Sequence, residues 1–170
     1  MAFVESAGFR PEHFVPSGRA PRPQDAVAGL LLREDGRYVM QLRDSKPEIF
    51  YPAHWGCFGG GVEAGESPVE ALKRELREEI GFDMPAALPF TQFDFDFRPL
   101  GYAKVFRIYF EVHVPDIAFR AFVLGEGADV QAFRGEELLA TRRVTPYDAF
   151  AVWMHMNRQR SNSTPPSTQA

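Results

Sequence analysis

The sequence predicts an α/β fold, an α/β/α sandwich with a mixed β-sheet between helices. Three observations carry that prediction. Apolar residues alternate at a period of two over Phe93–Phe97 and Phe106–Val114. An Asp-Gly turn at Asp35-Gly36 joins two apolar segments near the start. A stretch with helical periodicity and marked ends lies between these β regions, after Ser67 and before Gly81. The chain has 170 residues, enough for one domain with a sizeable core.

The elements follow in order. Residues 1–24 carry Pro11, Pro16, Pro21 and Pro23 with little periodicity, and read as an N-terminal arm. Such an arm packs on the domain or on a second subunit of a homodimer. The domain spans 25–157. Ala26–Arg33 is an apolar strand, Glu34-Asp35-Gly36-Arg37 turns the chain, and Tyr38–Arg43 returns as the second strand. Residues 45–54 form a loop with Pro47 and Pro52, and Trp55–Phe58 leads into Gly59-Gly60-Gly61. Phe93, Phe95 and Phe97 alternate with Asp94 and Asp96, a strand with one buried face. Pro99-Leu100-Gly101 turns, and Phe106, Ile108, Phe110, Val112 and Val114 alternate in a longer antiparallel strand. Ala118–Leu124 and Val130–Phe133 are further strands, and Glu136–Leu139 and Tyr147–Asn157 are helices. Arg158–Ala170, rich in Ser, Thr, Pro and Gln, reads as a disordered tail.

The central helix is specified locally. Ser67 is an N-cap, Pro68 suits the first helical position, and Glu70 completes a Ser-x-x-Glu capping box. Val69, Leu72, Leu76 and Ile80 form the buried stripe, and Gly81 fits the left-handed position after the end. Glu75, Glu78 and Glu79 share one face, with Glu75 and Glu79 bordering the stripe. Three carboxylates so placed repel one another, and a hard divalent ion with oxygen ligands is the natural offset.

Composition narrows the partners. A net charge of −4 argues against a nucleic-acid backbone binder. An acidic protein with an anionic substrate needs a bridging cation. No apolar run is long enough to span a bilayer, and the N-terminus lacks a signal-peptide pattern, so no membrane association is expected. The single cysteine, Cys57, suits a reducing cytoplasm and reads as a small buried strand residue or a reactive thiol.

Residues 60–82 match Gly-x5-Glu-x7-Arg-Glu-U-x-Glu-Glu-x-Gly-U, with U bulky and apolar, at Gly60, Glu66, Arg74, Glu75, Leu76, Glu78, Glu79, Gly81 and Phe82. This resembles the box of the Nudix hydrolase superfamily, in its MutT-like branch. The resemblance implies metal-dependent hydrolysis of a diphosphate linkage in a nucleoside diphosphate derivative, a nucleoside triphosphate or nucleotide sugar, by water attack at phosphorus. It implies Mg²⁺, with Mn²⁺ as substitute, held by Glu75, Glu78 and Glu79 and by a backbone carbonyl of Gly59 or Gly60. Arg74 either orients Glu75 or forms a plain i,i+4 ion pair with Glu70 or Glu78. Glu66 would steady the helix ligands from behind.

A further carboxylate from a loop, as ligand or base, is also implied. Glu126, flanked by Gly125 and Gly127, is the best candidate, with Asp129, Glu136 and Glu137 as rivals. For the small-molecule nucleotide substrate, Arg43 would meet a phosphate, Trp55 would stack on the base, and Asp148 would read a purine edge. Phe50, Tyr51, Tyr102 and Tyr147 are other ring candidates. Two different classes share such a fold: a binding module without activity, and an isomerase or glycosyl hydrolase. The intact box opposes the first, and the second lacks part of the box or needs altered ligands. No covalent intermediate is expected, since Ser67 is a cap and His13, His54, His113 and His155 are scattered.

Overall fold

The computed structural model describes residues 23–46 and 49–158. The N-terminal arm up to residue 22, Pro47, and the tail beyond Arg158 lie outside the described residues.

Ala26–Arg33 forms β1 and Tyr38–Leu42 forms β2, antiparallel with Leu31 opposite Val39 and Leu32 opposite Tyr38. The Asp-Gly turn is as expected: Gly36 adopts φ 76° and its N–H donates to Arg33 O. Beyond these two pairs the hairpin opens like a fork. The segment starting at β3 (Trp55–Gly56) enters it, pairing with β2 at Gln41 and Leu42 and bridging β1 at Gly29 to Phe58 and Ala26 to Gly61. The triple glycine is thereby laid against the start of the central strand.

β1 is buried on both faces. Its other neighbour is β5 (Lys104–Val114), which runs parallel to β1 and antiparallel to β4 (Leu88–Asp96). The long strand is therefore antiparallel on one side only, which is what makes the sheet mixed. β6 (Asp129–Phe133) pairs antiparallel with β2. The path through the sheet is β3-β2-β1-β5-β4.

Helices cover both faces. α1 (Pro68–Ile80) packs Ala71, Leu72, Leu76 and Ile80 against Val27, Leu31, Phe58, Phe110 and Val112. On the opposite face, α3 (Gly135–Thr141) and α4 (Pro146–Asn157) bury Leu138, Ala151 and Val152 against Leu30, Tyr38, Cys57 and Tyr109. Cys57 is thus a buried strand-end residue. Tyr38 Oη and His155 Nδ1, hydrogen-bonded at 2.7 Å, tie α4 to the sheet.

Three expectations are corrected. Ala118–Leu124 is not a strand: Asp116–Arg120 is a short helix, α2, and a loop follows. Phe119 and Phe122, three apart, meet edge-on at 5.6 Å, and Phe122 lies against Phe82 at 5.5 Å. That spacing belongs to a helical turn over the end of α1. Val69 is not in the stripe; it sits in the first turn of α1 and is 44% exposed, while Ala71 is fully buried. Phe97 lies beyond the end of β4, stacked on Phe95 at 5.9 Å.

Candidate active site

The box helix is built as its sequence requires. Ser67 Oγ accepts from Glu70 N at 3.3 Å, and Glu70 Oε2 accepts from Ser67 N at 2.8 Å, which closes the capping box. Gly81, at φ 65°, donates to Arg77 O and ends the helix. Packing of the apolar stripe on β1 turns Glu75 and Glu79 toward the glycine segment in the sheet fork.

Glu79 is 7% exposed, a buried carboxylate whose Oε2 accepts from Gly59 N at 2.9 Å. Burial pushes its pKa up to about 8; the Gly59 bond and Arg43 pull it down, while Glu75 and Glu126 push it further up. Glu75 is half-buried and also raised, first by burial and then by Glu78 and Glu126, with Arg74 opposing. A Cβ at Gly60 would overlap the Glu75 carboxylate, so a larger residue there would push that side chain out of its present position. The Gly60 carbonyl accepts from Val27 N at 2.9 Å.

Arg74 is the organiser of the acidic face. Nη1 donates to Glu75 Oε1 at 2.8 Å and to Glu78 Oε2 at 3.3 Å. Nε and Nη2 reach the two oxygens of Glu66 at 3.0 and 3.1 Å, and Nη2 also donates to Gly61 O at 2.9 Å. That fork geometry fixes the guanidinium plane, and through it the Glu75 carboxylate. Both expected contacts, to Glu75 and to Glu78, are present together. Glu70 is engaged in the cap instead.

Glu78 points outward, with its side chain 59% exposed. Glu126 is on an exposed loop pinned to the end of α1. Gly125 N donates to Glu79 O at 2.7 Å, and Gln41 Nε2 donates to Glu126 O at 2.9 Å. Gly125 packs so closely that a Cβ would overlap Glu78 O, and Gly127 adopts φ 88°. Its charge is near enough to act on both Glu75 and Glu79. The rivals are placed differently. Asp129 accepts from Val130 N at 2.8 Å and Gln131 Nε2 at 2.6 Å. Glu136 and Glu137 lie on α3, across the sheet from α1.

Among the described residues, no three Asp, Glu, His or Cys side chains already converge on one metal-holding point. Glu75 faces Arg74, Glu79 faces the Gly59 N–H, and Glu78 faces solvent. The donor set nonetheless fits a hard divalent cation. It is all oxygen, and Glu75 and Glu79 both carry raised pKa values from burial and from repulsion by neighbouring carboxylates.

Arg43 lies half-buried at the edge of this site, its Nε donating to Phe50 O at 2.8 Å. Trp55 and Asp148 are not at a substrate surface. Trp55 is buried, edge-on to Phe133 at 4.8 Å, and its N–H donates to Arg143 O. Asp148 is 1% exposed, with both oxygens occupied: Oδ2 by Cys57 N at 3.0 Å and Thr145 Oγ1 at 2.6 Å, Oδ1 by Tyr109 Oη at 2.8 Å and Arg107 at 3.3 Å. It binds α4 to the sheet. Gln41 and Arg107 are site neighbours that pattern reading missed. Their roles arise from long-range contacts and have no local sequence signal.

The family model for the NUDIX domain matches residues 22–161. The nucleoside triphosphatase NudI of Escherichia coli is 37% identical over 93 residues, 51% of this chain; the match spans 64% of that relative's length. The MutT protein from Methanosarcina mazei Go1 superposes with TM-score 0.64 at 22% identity, over 82% of this chain and 99% of that one. The NUDIX domain of Shewanella oneidensis NrtR, complexed with ADP ribose, gives TM-score 0.64 at 15% identity, over 90% of this chain and 95% of its own. On the family match across most of its length, together with this fold and box helix, the chain belongs to the NUDIX domain family.

Proposed function

We propose that this chain is a metal-dependent pyrophosphohydrolase that cleaves a diphosphate linkage in a nucleoside diphosphate derivative, a nucleoside triphosphate or a nucleotide sugar. The observation that carries this reading is the pair Glu75 and Glu79, half-buried to buried on a glycine cradle with Glu126 alongside. The similarity to a nucleoside triphosphatase supports a nucleotide substrate. So does the ADP ribose held by a structural neighbour.

Glu75, Glu79 and Glu78, with the Gly59 carbonyl, would hold Mg²⁺ or Mn²⁺. The bound ion would offset charge on the phosphate oxygens and make a coordinated water a better nucleophile. Arg74 keeps Glu75 aimed, and Glu66 keeps Arg74 aimed. Gly59 N–H holds the buried Glu79 oxygen in place. Glu126 would accept the proton of the attacking water on its carboxylate. Arg43 offers its guanidinium to a substrate phosphate.

The attack is direct, with no enzyme-bound intermediate. Burial, and after it the Asp148 carboxylate, push the Cys57 thiol well above its ordinary range, with Arg107 opposing. His54 is bonded to Pro52 O, and His155 is buried on the inner face of α4. Ser67 is the helix cap. The test is a single turnover in ¹⁸O-labelled water over a panel of nucleoside triphosphates and nucleotide sugars with Mg²⁺. Label from solvent should appear directly in one phosphate product. An enzyme-derived ¹⁶O in the first turnover, or no cleavage of any panel member, overturns the reading.

A further inference from the structure

The loop between β2 and β3 holds two non-glycine residues in the left-handed region, Tyr51 at φ 53° and Ala53 at φ 55°. Residues with a Cβ seldom adopt that backbone, and it persists where the surroundings impose it. Here Arg43 imposes much of it: its N–H donates to His54 O at 2.9 Å and its Nε to Phe50 O at 2.8 Å. Ala53 N donates to Asp44 O at 3.1 Å, and His54 Nδ1 is bonded to Pro52 O at 2.8 Å.

The constrained loop makes Tyr51 the hub of a ring cluster. It meets Phe50 at 4.9 Å, His54 at 5.5 Å and Tyr147 at 5.8 Å, each edge-on. The Arg107 guanidinium lies over one face of the Tyr147 ring, 4.9 Å from its centre, and is itself tied to Tyr109 and Asp148. A cluster made only for the core would be covered. This one is open: Phe50 is 41% exposed, and Tyr51 and Tyr147 are half-buried. Arg43, bonded to Phe50 O, is also near enough for its charge to act on both Tyr147 and Glu79.

We propose that Tyr51 and Tyr147 form the subsite for the planar base of the nucleotide, with Arg43 bridging from that base to the phosphates at Glu75 and Glu79. The inference rests on the pyrophosphohydrolase reading and adds to it the part of the chain that selects a nucleoside over a bare polyphosphate. Stacking on a ring discriminates weakly among bases, so the subsite favours any nucleoside phosphate over its base-free counterpart.

The test is calorimetric binding, in Ca²⁺, of the common ribo- and deoxyribonucleoside triphosphates and of inorganic tripolyphosphate. Wild type is compared with Tyr51→Phe, Tyr51→Ala and Tyr51→Gly. The wild type should bind its best nucleotide about tenfold or more tighter than tripolyphosphate, the factor that one base–ring stack provides. Tyr51→Ala should lose that ratio while tripolyphosphate affinity stays within about twofold, and Tyr51→Phe should keep it. Tyr51→Gly relieves the left-handed strain but removes the ring, so it should behave like Tyr51→Ala. A nucleotide preference retained in Tyr51→Gly and Tyr51→Ala overturns the subsite and leaves the hydrolase reading standing. Absence of any nucleotide preference in a wild type that still hydrolyses nucleotides does the same. Failure of the wild type to bind or cleave any probe overturns both.

Discussion

Glu79 is the residue where burial and charge oppose each other most directly. Its carboxylate is taken out of water, given one backbone hydrogen bond, and left beside two other acids. The sequence places it at the edge of the apolar stripe; the structure puts it inside, so its shape matters as well as its charge. Glu79→Gln keeps the shape, and its amide oxygen can still accept from Gly59 N. That variant should stay folded, and its turnover at saturating Mg²⁺ should fall by about 10²-fold or more, as when one preorganised charge-stabilising group is lost. Near-normal turnover would remove Glu79 from the metal set. Glu126 is different, because it is exposed and its loop is held by backbone contacts rather than by its carboxylate. Glu126→Gln should leave the melting temperature unchanged and lower kcat by about 10²- to 10⁴-fold, the usual range for a general base. A loss under tenfold, alongside a large loss in Asp129→Asn, would move the role to Asp129 despite its two local hydrogen bonds.

Among the elements, α1 was legible because everything that defines it is local. Ser67, Pro68, Glu70 and Gly81 mark its ends, and the acids recur at helical spacing within thirteen residues. The α2 segment was not legible as a helix. Phe119, Phe122, Val123 and Leu124 read as strand composition, and only the packing of Phe119 on Phe122 and of Phe122 over Phe82 at the end of α1 favours a turn of helix. Trp55 and Asp148 were misplaced for the same reason: their partners Phe133, Tyr109 and Cys57 are far away in sequence. The Gly-Glu-Gly loop was readable as glycine-flanked, yet its purpose appears only in three dimensions. Gly125 lets the loop lie against the last turn of α1, where a Cβ would overlap Glu78 O. Gly125→Ala should therefore lift the loop and carry Glu126 with it. Overpacking of this kind lowers the melting temperature by roughly 2–10 °C. A displacement of about 1 Å at a catalytic group costs on the order of 10²-fold in kcat. A lowered melting temperature with unchanged kcat would show that the loop contact does not position Glu126.

For the molecule as a whole, the forked hairpin explains how one sheet serves both stability and the acidic site. The central strand is covered on both faces, and the segment that enters the fork brings Gly59 and Gly60 to the carboxylates of α1. The site is consequently paid for by burying acid next to acid, and the global stability of the metal-free protein must register it. Burial raises Glu79 from an ordinary 4.5 to about 8, so the folded state binds that proton more tightly than the unfolded chain does. The stabilisation from this protonation is complete below about pH 4.5 and is lost as pH rises through about 8. His155 is shifted the other way, lowered by burial, and costs stability as pH falls. It is present equally in wild type and in Glu79→Gln, so the difference between the two proteins isolates Glu79. In excess EDTA, the melting temperature of wild type minus that of Glu79→Gln should decline steadily between pH 5 and pH 8. Saturating Mg²⁺ should restore the wild type at the alkaline end by mass action on the folded state, and should restore Glu79→Gln much less. A flat difference in EDTA would mean that Glu79 is better solvated or compensated than its burial implies. An equal Mg²⁺ gain in both proteins would mean that the ion binds without this carboxylate.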